Sequence, residues 1–122
     1  MVQVPAALEP SETDITTMKA QFYVGQAGTG SPLHFHRWAW NALVHGTKLW
    51  ELRPPPHALY STIHPAADLL GPELSQSPAL RCIQRSGDVL VVPDSWSHAV
   101  LNLGASVGVA SEFVWGPAEF SL

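Results

Sequence analysis

With 122 residues, 46% of them hydrophobic and only 13% charged, the chain can build one folded domain with a modest core and is too apolar for a disordered tail. A formal net charge of −4 leaves no basic surface to track phosphates, which excludes nucleic acid as a main partner. The single cysteine, Cys82, has no internal partner and reads as a buried, inert thiol. No basic-then-apolar leader opens the chain and no apolar run nears the roughly 18 residues of a membrane helix, so a soluble intracellular protein is expected, cytoplasmic by default with the nucleus left open.

Eleven prolines and nine glycines divide the chain into many short elements, which favours strands over helices. Residues 1–20 are polar, proline-punctuated and aperiodic, an N-terminal arm. Gln21-Phe-Tyr-Val-Gly25 is a compact strand, and a Gly- and Ser-rich loop leads from it into Ser31-Pro-Leu-His34-Phe-His36. Read as a strand, that stretch puts His34 and His36 on one face, roughly 6–7 Å apart at Cα. Trp38–His45 is an apolar run closed by Gly46-Thr47, and Lys48–Arg53 alternates in the strand manner, so the two are expected to form a hairpin. Pro54-Pro-Pro ends that strand, because proline cannot donate to a ladder.

Residues 54–79 are the least regular part, with a short helix expected around Ala66–Leu70, and a loop of this length suggests a lid or a contact surface. Leu80–Gln84, Asp88–Val92, Ala99–Leu103 and Val107–Val114 complete the strands, and residues 117–122 form a C-terminal tail. About eight short strands separated by turns predict an all-β fold, a double-sheet jelly roll or related barrel over residues 21–116.

Two imidazoles side by side on a strand are half of a metal site, and a third candidate stands in Gly87-Asp-Val-Leu-Val-Val-Pro93-Asp-Ser-Trp-Ser-His98. Imidazole suits iron, zinc, copper or nickel, and three protein ligands leave coordination positions open for chemistry. In a small barrel alternate side chains face inward, so His34, His36 and His98 are each placed to enter its mouth. His45, His57 and His64 are expected at the surface. Asp88 reads as a turn residue, and Asp94 as a second acceptor for a ligand histidine.

Three stretches carry a likeness: Gly30-Ser-Pro-Leu-His34-Phe-His36, Trp40-Asn-Ala-Leu-Val-His-Gly46-Thr-Lys48-Leu-Trp50, and Ser86-Gly-Asp-Val-Leu-Val-Val-Pro93-Asp-Ser-Trp-Ser-His98-Ala-Val-Leu-Asn102. From about Gln21 to Val114 the chain resembles the jumonji-C (JmjC) branch of the cupin superfamily, the Fe(II)- and 2-oxoglutarate-dependent oxygenases. Gly87, Pro93, His98 and Asn102 fit the second cupin signature, with Ser95 where glycine is usual. The resemblance implies a double-stranded β-helix, iron ligands at His34 and His98, and Lys48 pairing with the distal carboxylate of 2-oxoglutarate. It also implies contacts to cosubstrate or ligands from Asn41 and Ser31, with Trp50, Trp96 and Phe35 as packing. His36 occupies the position where the family usually carries Asp or Glu. Imidazole there leaves the ion its full 2+ charge. Three-histidine sites serve some cupin dioxygenases, and a subgroup of small JmjC proteins resembles this chain in His-x-His followed by lysine.

Ala110 stands where a hydroxyl is common, and Glu112, of the same strand parity, is expected to bring negative charge towards an anionic cosubstrate. Family members carry flanking strands and helices that bind substrate and often build a dimer. Against them this chain is a minimal version or a fragment. A protein substrate or partner is implied, with a homodimer or a place in a larger assembly as the settings left open. Three functions remain in play: a JmjC-type hydroxylase or demethylase, a three-histidine cupin metalloprotein that does not use 2-oxoglutarate, and a barrel kept as a structural or interaction module.

Overall fold

The structure, a computed structural model, describes residues 15–17, 19–70 and 78–115. Its strands are β1 (Ile15–Thr17), β2 (Gln21–Gly25), β3 (Gly30–His34), β4 (Ala39–His45), β5 (Thr47–Arg53), β6 (Leu80–Arg85), β7 (Val89–Val92), β8 (Ser97–Asn102) and β9 (Ser106–Trp115). They form two antiparallel sheets. In the first, β9 has β1 and β2 along one edge and β4 along the other, with β7 outside β4; the second runs β3-β8-β5-β6. The fold is all-β, as the turn-rich sequence predicts, with the two-sheet double-stranded β-helix that the resemblance implies. Of the expected N-terminal arm, Ile15–Thr17 forms β1 against the end of β9, while residues 1–14, the tail at 117–122 and loop residues 71–77 lie outside the described residues.

The expected hairpin at Gly46 does not form. β4 pairs with β7 and β9, whereas β5 pairs with β6 and β8, so the chain crosses between sheets at Gly46. Gly46 has φ 106°, and a Cβ there would stand 2.5 Å from the Ala105 carbonyl oxygen, so both backbone hand and space require glycine. The same crossing recurs between β6 and β7 at Gly87, φ 92°. A short glycine break is common to hairpins and to sheet-switching corners, which is why the sequence suggested the former.

Strand alternation divides the apolar residues into three clusters. Trp50, Leu52, Val92 and Val100 pack between the sheets with Cys82, Leu90 and Trp96. Trp40, Val109 and Phe113, with Trp38 and Ala42, occupy the opposite face of the first sheet. Leu33, Leu49, Ala99 and Leu101 lie on the outer face of the second sheet, where Leu69 and Ala66 of helix α1 (Pro65–Leu70) cover them. The described part of the irregular excursion is therefore a cover for an outer face. It is stitched down where Leu59 N–H donates to Ser97 Oγ (3.1 Å) and Ser61 N–H to the Leu33 carbonyl (2.9 Å). Cys82 is half-buried rather than buried, and desolvation pushes its thiol pKa up.

Beside α1's cluster, Glu51 and Arg53 point the same way from β5 and are 0% and 1% exposed. Arg53 Nε donates to Glu51 Oε1 at 2.8 Å, and Arg81 of β6, 44% exposed, reaches Glu51 Oε2 through Nε and Nη2 at 3.1 and 2.9 Å. A buried carboxylate needs its partner more than the pair adds stability. Arg53→Met, which strands Glu51 against a single half-exposed arginine, is expected to lower unfolding free energy by about 3 kcal/mol in urea titration. Arg81→Met is expected to lower it by about 1 kcal/mol or less.

Candidate functional site

β3 ends at His34, and Phe35 and His36 follow it outside the ladder. The two histidines therefore do not share a strand face as expected. His34 comes from the strand end, directly opposite His98 of β8, and His36 returns to them from the connection to β4. The turn before β8 holds that connection in place, since Ser95 N–H donates to the His36 carbonyl at 3.0 Å, with Ser95 itself left-handed at φ 63°. The three rings converge: centroids lie 4.2 Å apart for His34–His98, 4.7 Å for His36–His98 and 5.6 Å for His34–His36, and one ring nitrogen of each lies within 4.8 Å of the others.

Each Nδ1 faces a carbonyl oxygen, which can only accept: Pro32 O at 2.7 Å for His34, Arg37 O at 2.6 Å for His36 and Trp96 O at 3.1 Å for His98. That assigns the proton to Nδ1 and leaves an Nε2 lone pair on every ring, the tautomer a metal ligand needs. Backbone carbonyls thus take the place expected of Asp94, whose carboxylate instead accepts from Ser95 Oγ at 2.9 Å. Burial, then the neighbouring His34 and His36, push the His98 pKa down to about 4, opposed by its bond to Trp96. The donor set fits a divalent metal ion such as iron.

The rings line one end of a cavity of about 380 Å³ between the sheets, and Lys48, Asn41, Tyr23 and Ser31 line it elsewhere. Lys48 is 6% exposed, with Nζ 3.7 Å from the Tyr23 ring centroid, and no carboxylate among the described residues pairs with it. Burial pulls its pKa down to about 8. Tyr23 donates its hydroxyl to Asn41 Oδ1 at 2.7 Å, and its own pKa is pushed up to about 12 by burial against that bond. An unpaired ammonium flanked by amide and hydroxyl groups fits a carboxylate ligand.

Ala110 lines this cavity and offers no hydrogen bond. Glu112 does not line it; it lines an adjoining cavity of about 460 Å³ with Lys19 and Ser111, which shares Gln21, His34, His36, Ala39 and Ala110 with the first. The expectation that Glu112 approaches the anion end is corrected by this placement. Trp50 does more than pack, since it lines the cavity and lies with its ring 6.0 Å from His98. Phe35 is half exposed and meets Tyr60 edge-on at 6.1 Å, while His45, His57 and His64 are exposed as expected. Tyr23 and Gln84 escaped the sequence reading. Alternation along β2 would have placed Tyr23 on the interior face.

The chain matches the family model described as "JmjC domain, hydroxylase" over residues 21–113. It is 35% identical over 103 residues to the JmjC domain-containing protein 8 of Mus musculus, covering 79% of this chain and 38% of that protein. It is also 29% identical over 116 residues to the 2-oxoglutarate and iron-dependent oxygenase JMJD4 of Homo sapiens, covering 77% of this chain and 26% of that one. The chain thus spans well under half the length of these relatives. Among solved structures, an oxalate decarboxylase of Bacillus subtilis aligns with a TM-score of 0.55 at 11% identity, over 90% of this chain and 23% of that one, a likeness of fold alone.

The depressed Lys48 pKa fixes a pH dependence. Below about 8 both folded and unfolded chains carry the lysine proton and the full desolvation penalty applies; between about 8 and the ordinary 10.5 only the unfolded chain binds it, so stability rises with pH. Tyr23 acts oppositely above its ordinary 10.0, where the unfolded chain loses a proton the folded chain keeps. Without metal or ligand, the thermal midpoint is therefore expected to climb from pH 8 to 10, and Lys48→Met to abolish that climb. An unchanged slope in the variant would remove Lys48 as its source.

Proposed function

The chain belongs to the JmjC domain family, and on that premise we propose that it is an iron(II)- and 2-oxoglutarate-dependent oxygenase, hydroxylating or demethylating a protein substrate. The observation that supports this reading most is one cavity holding both three convergent imidazoles and a buried ammonium with no counter-ion among the described residues. When bound, iron(II) and 2-oxoglutarate together activate O2, with the keto acid decarboxylated to succinate and an oxygen atom delivered to a substrate C–H bond.

In this reading His34, His36 and His98 hold the metal through Nε2, their planes kept by the three Nδ1–carbonyl bonds. The set is neutral, so charge balance at the metal falls to the bound anion. Lys48 pairs with the far carboxylate, and Asn41 and Ser31 add neutral contacts. Trp50, Val92, Val100 and Ala39 wall the space between, excluding water and strengthening the ion pair through a low local dielectric. The adjoining cavity on the Glu112 side of His34 and His36 gives substrate an approach separate from the cosubstrate's. Ala110, which adds no hydrogen bond to the anion end, favours the second reading of a three-histidine metalloprotein without cosubstrate.

Anaerobic titration with Fe(II), then 2-oxoglutarate, separates these readings. We expect a visible metal-to-ligand charge-transfer band in the wild type, at least tenfold weaker 2-oxoglutarate binding in Lys48→Ala, and loss of iron itself in His98→Ala. Iron uptake without the band would sink the oxygenase reading and leave the metalloprotein. No iron uptake would leave a barrel serving as an interaction module.

A further inference from the structure

We propose that Gln84, which lines neither cavity, is the positioning residue that aims Asn41 at the anion site as a hydrogen-bond donor and holds Trp50 beside His98. The inference deepens the oxygenase reading and rests on it.

Gln84 lies on β6, the end strand of the second sheet, and is 2% exposed. Its side chain crosses the seam to the first sheet, where Nε2 donates to the Asn41 carbonyl at 2.9 Å and shares its hydrogens with Asn41 Oδ1 and the Asp88 carbonyl, each at 3.3 Å. Its Oε1 accepts from Trp50 Nε1 at 2.9 Å. Asn41 Oδ1 thereby receives two donors, Gln84 Nε2 and the Tyr23 hydroxyl at 2.7 Å, which occupy both of its lone pairs. The Trp50 indole can only donate, so it fixes Gln84 with Nε2 towards Asn41, and reversing the Asn41 amide would set its N–H groups against that donor. The amide is therefore locked with its oxygen in the wall, and no acceptor among the described residues takes Asn41 Nδ2, leaving two hydrogens for a ligand in the cavity that Lys48 lines. At the other end of Gln84, the bond to the indole fixes Trp50, whose ring lies 6.0 Å from that of His98 at 32°. One buried amide thus joins the metal end of the cavity to its anion end.

A purely structural tie across the seam would lower stability without acting through Asn41, and a double-mutant cycle tells the two apart. The measurement is 2-oxoglutarate affinity of the full chain loaded with Zn(II), by calorimetry. Gln84→Met is expected to weaken binding about tenfold in the wild-type background and less than twofold in Asn41→Ala. An equal loss in both backgrounds, or none in either, overturns the role of Gln84 while leaving the oxygenase reading standing. A wild type that takes zinc but never binds 2-oxoglutarate overturns that reading and this inference with it. If Gln84→Met fails to fold, side-chain amide exchange in the 15N-labelled wild type decides. Gln84 is expected to be protected before ligand is added and Asn41 only after, and an Asn41 amide protected from the start overturns the proposal.

Discussion

The site depends on a register slip of one residue between β3 and β8. Gly30 faces Leu101 and Ser31 faces Val100, but His34 faces His98, so the strand carries one extra residue between Ser31 and His34. Without that bulge Leu33 would stand opposite His98, and His34 would turn to the other face, because a slip of one reverses every side chain. Pro32 falls within the irregular stretch, where a missing N–H is tolerated, and its carbonyl anchors His34 Nδ1. Just before it the two backbones approach so closely that a Cβ on Gly30 would stand 1.9 Å from the Val100 carbonyl oxygen. The bulge and the glycine together seat one strand's histidine against the other's.

Burial then does to the site what solvent would not. His98 and Lys48 are both driven towards their neutral forms by desolvation, at opposite ends of one cavity. Neither has a carboxylate among the described residues to restore its charge, so the fold holds two groups whose preferred partners are a cation at one end and an anion at the other. A ligand that bridges the ends satisfies both, and its binding offsets the desolvation that burial imposes on them.

Much of this was legible in the chain. Strand alternation, proline stops and glycine breaks locate the elements, and His34, His36, His98, Lys48, Asn41 and Ser31 all line the cavity that the motifs suggested. The geometry behind them was not legible. His36 reaches the cluster from beyond the strand end, a route that i, i+2 spacing does not describe. The glycine at 46 joins two sheets rather than two paired strands, because a break in alternation carries no information about which neighbours the next strand will find. The amide network at Tyr23, Asn41, Trp50 and Gln84 closes across separations of up to 43 residues, and Tyr23 and Gln84, which no motif marks, each read as ordinary strand residues.

In the proposed oxygenase, a ligand set of three neutral imidazoles would give the departure at His36 a physical meaning. A carboxylate in its place would cancel part of the metal's charge and weaken its demand for an anion; three imidazoles leave that demand whole. The nearby carboxylate of Glu112 lines the adjoining cavity, on the histidines' side but outside the space that Lys48 occupies. Negative charge is thus kept from the Lys48 cavity, where it would compete with an anion for the ammonium, and placed in the cavity that the proposed oxygenase would use for its substrate. Holding the charges apart in this way depends on the same strand, since Ala110 faces the Lys48 cavity two residues before Glu112 on β9. In the proposed oxygenase, alanine in place of a hydroxyl residue at position 110 would leave Lys48 and the Asn41 amide to carry recognition of the anion, and make the orientation of that amide matter more.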